Sequence, residues 1–366
     1  MDEIIAVPPP DAPPLPNLRR TSATPVEYRF AFSGDAREYF RIWIVNLALG
    51  IVTLGIYSAW AKVRTERYFY GNTRVAGDAF EYLARPWPIL KGRLIALALF
   101  AIYIVAGHLS VKLQLGAVAA IGLLTPFLIV RGAAFRARYS AWRGLTFHFE
   151  PDYRQAYARY LLLGIPLVLS LGLALPFVKQ RQKAFFVEQH RFGGCWFSFS
   201  ATPGRFYPPY VIAWSVFLAV FVVLSMGLGA LAMSLVHADG ARAGPPGWFI
   251  YTYAALFYGS YFAIWTFLAA ALANILYNFA ALDRHHFRSA IKGSKLFKLY
   301  LGNTLGILAS AGLLIPWARV RLARYRAECL TLVSSGDFAE FRAESAVDVS
   351  ATAAEMDNLF DIDLGI

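Results

Sequence analysis

Seven apolar stretches, at about residues 39–60, 94–108, 115–130, 160–178, 210–236, 249–277 and 299–317, constrain this chain more than any other feature. A helix needs about 20 apolar residues to cross a hydrocarbon core roughly 30 Å thick. The two longest stretches exceed that length, and the second and third extend into their flanks as one hairpin. The chain has 366 residues, enough for two soluble domains, yet only 16% are charged and 58% are hydrophobic. Ordinary globular domains carry about 25% charged residues. So few charges cannot cover a water-facing surface, and lipid must solvate much of the chain. The 29 Phe, 20 Tyr and 9 Trp suit hydrocarbon packing and headgroup anchoring.

A repeat underlies the stretches. Asn46, Gly55, Trp60-Ala61-Lys62-Val63-Arg64 and Arg67-Tyr68 are matched, all at one constant offset, by Asn303, Gly312, Trp317-Ala318-Arg319-Val320-Arg321 and Arg324-Tyr325. Weaker copies run from Pro126-Phe127 through Arg131 to Phe135, and from Pro176-Phe177 through Arg181 to Phe185. Gly77 with Phe80 recurs as Gly144 with Phe147 and as Gly194 with Phe197, and Phe30/Phe32, Phe147/Phe149 and Phe197/Phe199 open successive units, with a degenerate version at Phe287. Fixed-period similarity of this kind marks a repeated architecture. About five units result, the second and fourth holding two apolar stretches and the others one. The expected fold is an all-α integral membrane protein with four to seven membrane-embedded helices or hairpins, joined by short β-like aromatic connectors. The repeated membrane domain covers 28–333. Residues 1–27 form a proline-rich tail without a signal-peptide core, and 334–366 form an acidic tail; both are expected to be disordered.

The formal net charge of +12 requires counter-charge. Because Arg and Lys lie beside apolar runs, anionic lipid headgroups fit better than nucleic acid. Basic clusters at 62–93, 131–159, 179–205 and 284–298 would fall on alternate faces if all seven stretches crossed, against the positive-inside rule. Turn formers in the single stretches, such as Gly55, Gly172 and Gly312, suggest re-entrant elements instead. Four crossings in two hairpins plus three re-entrant elements are therefore expected, with most basic loops cytoplasmic; seven plain crossings remain the alternative.

Trp60, Arg64, Arg67 and Tyr68, with Trp317, Arg321, Arg324 and Tyr325, read as an aromatic-basic ledge, because residues at i and i+4 share a helix face. Such a ledge serves as a general headgroup anchor or as a specific site for lipid or anions. Asn46, Asn303, Asn274 and Asn278 are the polar residues in or beside the membrane segments. They either bond between helices or line a pathway. Matching positions suggest that Asn46 and Asn303 meet, or do the same job in two symmetric places.

No catalytic motif, cofactor site or metal site is expected. Gly227-Leu228-Gly229 lies inside an apolar run, Cys195 and Cys329 are far apart, and the His285-His286 pair beside Asp283 would diverge on a helix. The carboxylates between the tails all fall in loops or at segment ends, unlike the buried coupling acids of many carriers.

The run Asn46-Leu47-Ala48-Leu49, then Thr53-Leu54-Gly55-Ile56-Tyr57-Ser58-Ala59-Trp60-Ala61-Lys62-Val63-Arg64, resembles the YjgN-like family of bacterial inner-membrane proteins, whose function is unknown. Arg67-Tyr68-Phe69-Tyr70-Gly71-Asn72-Thr73, Gly77, Phe80-Glu81-Tyr82, Lys91-Gly92-Arg93 and the Pro316–Arg321 and Arg324-Tyr325 block carry the resemblance further. It implies a multi-pass location in the inner membrane and supplies no catalytic residues. A non-enzymatic protein binding lipid or a partner is the expected function, with a transporter or channel for a solute or lipid as the alternative and a membrane-embedded enzyme behind both.

Overall fold

Strand β1 (Val26–Arg29) continues through Phe30 into β2 (Ala31–Phe32), and these two strands form the opposite ends of one eleven-stranded antiparallel sheet. The structure is a computed structural model that describes residues 25–237 and 247–334. Nearly all of both tails thus lies outside the described residues.

Five units follow one another, each a strand, a helical hairpin and a strand. The first runs β2, α1 (Ala36–Val52), α2 (Ser58–Asn72), β3 (Thr73–Val75). The second is β4 (Asp78–Tyr82), α3 (Pro86–Leu109), α4 (Val111–Arg138), β5 (Ser140–Trp142). The third starts with β6 (Leu145–Phe149) and α5 (Tyr153–Tyr157), passes a π-helical turn (Ala158–Leu162) and α6 (Gly164–Leu169), then descends by α7 (Leu175–Glu188) into β7 (His190–Phe192). The fourth is β8 (Cys195–Phe199), α8 (Pro203–His237), α9 (Gly247–Asn278), β9 (Ala280–Leu282), and the fifth is β10 (His285–Ser289), α10 (Gly293–Ala309), α11 (Ile315–Glu328), β11 (Leu330–Ser334).

The all-α expectation is therefore wrong. The β-like connectors pair into a sheet of order β1-β11-β10-β9-β8-β7-β6-β5-β4-β3-β2. Phe30 alone separates β1 from β2, and its N–H donates to the Leu330 carbonyl at 3.0 Å, so the sheet curls into a nearly closed barrel. Strands of two to five residues are too short to show a two-residue alternation, which hid them beside strong helical signals. Curling leaves almost no open edge for another chain to pair with.

Antiparallel pairing places every helical hairpin on one rim of the barrel. The other rim carries tight turns, where Ala76-Gly77 (φ 51° and 87°) and Arg143-Gly144 (φ 53° and 78°) adopt the left-handed backbone that short hairpin turns require. Inside the barrel, Phe30, between β1 and β2, and Phe80, Phe147, Phe197 and Phe287, on the first strands of the later units, pack against Val75, Trp142, Phe192, Leu282 and Leu332 on the second strands. Phe30 stacks on Phe80 at 6.2 Å, and Phe197 on Phe287 at 6.3 Å. Full burial of such a side chain stabilises by roughly 1.5–3 kcal/mol.

The second helices of all units bury the same face. At one fixed distance before the following strand stand Ala59, Pro126, Pro176, Thr266 and Pro316, and one turn later Val63, Val130, Gln180, Ala270 and Val320, all buried. Four helical segments are long and apolar enough to cross a membrane, Pro86–Leu109, Val111–Arg138, Pro203–Leu231 and Gly247–Asn278, and they form the hairpins of the second and fourth units. The other three apolar stretches turn back on themselves at Gly55, Gly172 and Gly312. None of these three is a single straight span.

Candidate functional site

An arginine-aromatic belt encircles the helices above the barrel. Arg64, Arg131, Arg181 and Arg321 occupy equivalent positions on α2, α4, α7 and α11, each one turn after an aromatic residue. The guanidinium of Arg131 lies 5.6 Å from the Phe127 ring centre, Arg181 lies 5.2 Å from Phe177, and Arg321 lies 5.0 Å from Trp317. In the first unit the Trp60 ring instead meets Trp87 edge-on at 5.5 Å. Ala271 interrupts the belt in the fourth unit, following Phe267. Arg64, Arg131 and Arg321 are exposed and Arg181 is half-buried, so all four cations can reach solvent or headgroups.

The tyrosines expected beside Arg64 and Arg321 point the other way. Tyr68 is buried; its hydroxyl accepts from the Asp35 N–H and donates to the Asp35 carbonyl, both at 2.8 Å. Tyr325 does the same to Lys292, at 3.0 Å and 3.3 Å. Burial raises the Tyr68 phenol to about 12 and pushes Tyr325 up as well, so both stay neutral donors. They latch the strand-to-helix joint of their own units. Arg67 and Arg324 brace the next joint, donating to the carbonyls of Ala84 at 3.4 Å and Gly34 at 3.1 Å.

The asparagines also have structural partners. Asn46 and Asn303 do not meet: each Nδ2 donates across its own hairpin, to Ala61 at 3.5 Å and Ala318 at 3.2 Å, and neither buried Oδ1 has a partner among the described residues. Asn274 bonds the N–H and carbonyl of Ile291, both at 2.9 Å, while Asn278 bonds those of Ser289. Ser289 takes the place held by Phe32, Tyr82, Phe149 or Phe199 in the other units and donates to Asn274 at 2.8 Å. The pair His285-His286 sits on a strand, where neighbours face opposite ways. His285 is buried and meets Ser334 Oγ at 3.0 Å, whereas His286 is exposed. Among the described residues, no cluster of three or more His, Cys, Asp or Glu has metal-binding proximity.

Among the described residues, two of the clefts near the belt are rich in arginine. One, of about 420 Å³, lies between the first, second and last units, lined by Tyr39, Asn46, Lys62, Glu66, Arg93 and Arg319 among others. Among the described residues its one carboxylate, Glu66, is paired with Lys62 at 3.1 Å, and no ion pair joins Arg93 or Arg319, which also line its wall. The other cleft, of about 430 Å³, lies in the third unit beside the π-helical turn and gathers Arg154, Arg159 and Arg181 with Asp152. Sequence reading overlooked Arg93, Arg154, Arg159 and Arg319 as site residues. Only the Lys91-Gly92-Arg93 motif and the repeat partner of Lys62 pointed toward them.

Residues 27–359 match the family described as bacterial protein of unknown function (DUF898). The chain belongs to that family. Inner membrane protein YjgN of Salmonella typhimurium is 31% identical over 155 residues, 40% of this chain and 37% of that protein. The Escherichia coli K12 protein of the same name is 29% identical over 156 residues, 41% of this chain and 37% of its own length. The matched part thus spans well under half of these relatives. No solved structure matches the chain. With four membrane-length apolar helices and relatives named for the inner membrane, this family member is a multi-pass membrane protein.

Proposed function

We propose that this protein is a non-enzymatic component of the bacterial inner membrane that grips anionic lipid headgroups with its arginine-aromatic belt and the cleft beside it that Arg93 and Arg319 line, the barrel standing in the cytoplasm. The belt carries the reading: Arg64, Arg131, Arg181 and Arg321 share one level, at the foot of the apolar helices. Basic residues close to the barrel favour the cytoplasmic side for it. A cation near an anionic bilayer surface contributes about 1 kcal/mol, or ~5-fold in affinity. Arg93 and Arg319 both line that cleft and add two guanidiniums that can donate to a headgroup phosphate.

A transporter or channel finds less support, because the barrel axis is filled by phenylalanine side chains and any route would run between helices. The test is lipid retention in native mass spectrometry from mixed zwitterionic and anionic bilayers. Arg93→Ala with Arg319→Ala, and Arg64→Ala with Arg321→Ala, should each lower retained anionic lipid several-fold while zwitterionic lipid is unchanged. Equal retention at low salt would refute the reading.

A further inference from the structure

The three short hairpins end in tips of one design. Gly55, Gly172 and Gly312 hold φ of 89°, 90° and 94°, and their N–H groups donate to the carbonyls of Gly50, Leu167 and Ile307 at 2.8, 2.9 and 2.8 Å. Thr53 Oγ1, Ser170 Oγ and Ser310 Oγ each accept from the N–H of the residue that immediately precedes the descending helix, Tyr57, Ala174 or Leu314, at 2.9, 2.9 and 3.0 Å. These bonds satisfy turn groups that water would otherwise serve, the condition for backbone placed in hydrocarbon. Around them the side chains are apolar and bare: Leu54 and Leu171 are both 94% exposed, and Leu313 in the third tip is 53% exposed.

Depth follows from the belt. From each tip glycine down to Arg64, Arg181 or Arg321 is about 13 Å of chain at the helical rise of 1.5 Å per residue. From Val111 at the top of α4 down to Arg131 is about 30 Å on the same measure, a whole hydrocarbon core. We infer that the three short hairpins are half-bilayer wedges, seated among the acyl chains of the barrel-side leaflet alone. Five hairpins then occupy the near leaflet and two the far one. Such a body is broad on the barrel side and narrow beyond the midplane. It fits a bilayer that is convex toward the barrel, and the protein gathers where the membrane has that shape.

The test uses the full chain in giant vesicles of purely zwitterionic lipid, with barrels outward, from which thin tubes are pulled. Without anionic headgroups, its outcome is separate from that of the headgroup reading. Protein density in the tube should exceed that in the vesicle body and grow as the tube narrows. The triple variant Leu54→Asp, Leu171→Asp, Leu313→Asp, still inserted by its four long helices, should lose that enrichment. Equal density or depletion of the unaltered chain would overturn the inference. Spin labels on Leu54→Cys and Leu171→Cys, in a chain carrying Cys195→Ala and Cys329→Ala, give a second readout. They should collide with dissolved oxygen and not with a polar nickel chelate, at a depth near the midplane. Labels reached by the chelate, or shielded from both by a second copy, would equally overturn it.

Discussion

The guanidinium of Arg319, on the last hairpin, donates a hydrogen bond to the hydroxyl of Tyr39, on the first, at 2.9 Å across 280 positions of chain. It lies beside the contact of Tyr39, Tyr68 and Val320 that closes the helical ring above the barrel. Tyr39 is fully buried, its ring stacked on Tyr68 at 5.2 Å.

Tyr39→Phe keeps the ring and removes that one bond. A hydrogen bond to a charged group stabilises by about 1.5–3 kcal/mol. Thermal unfolding in detergent should therefore occur at a lower temperature, with anionic lipid retention unaltered. Arg319→Ala should lower both, because Arg319 also lines the cleft. Parallel loss of retention in Tyr39→Phe would show that the cleft depends on ring closure rather than on the arginine's charge.

Tyr68→Phe and Tyr325→Phe should behave alike. Each strips one joint of a hydroxyl that both donates and accepts, worth about 1 kcal/mol per bond. A denaturant midpoint shifted by similar amounts in the two variants is expected. A shift in only one would deny that the two ends of the repeat share a structural role.

The barrel should weaken in mild acid. Burial lowers the pKa of His148, His190 and His285 below the ordinary histidine value of 6.5, and Arg191 adds to the effect on His148. The folded state thus binds fewer protons than the unfolded one. Stability from these groups is complete above the unfolded value and is lost as pH falls through the lower folded values. Melting temperature in detergent should drop between about pH 7 and pH 5, and His148→Gln should flatten that slope. A melting temperature constant over this range would refute the expectation.

Barrel and long hairpins should label from opposite faces. In a chain with Cys195→Ala and Cys329→Ala, Arg284→Cys on the turn rim should react with a membrane-impermeant thiol reagent only from the cytoplasm. Ser110→Cys, between α3 and α4, should react only from outside. Labelling of both positions from one face would exclude crossing by the α3–α4 hairpin.

The repeat was legible in the residues because Trp60 to Tyr68 and Trp317 to Tyr325 face the same surroundings twice, and the membrane-length apolar helices were legible from the long runs without charge. The equivalent placing of Arg64 and Arg321 on the second helix of their units was legible too. That Tyr68 and Tyr325 turn inward was not, since a helical spacing places residues on a face without saying what stands opposite it.

Local pattern thus settled which stretches avoid water and that they recur. Whether Ala31-Phe32 or Thr73-Arg74-Val75 is a strand was settled only by its neighbours. So short a segment has no stability of its own and gains its hydrogen bonds from partners brought beside it by helical hairpins. Closure of β1 onto β11, like the meeting of Arg319 with Tyr39, joins the two ends of the described chain. No local preference encodes a contact of that span; it exists only when all five units have curled around a shared aromatic core.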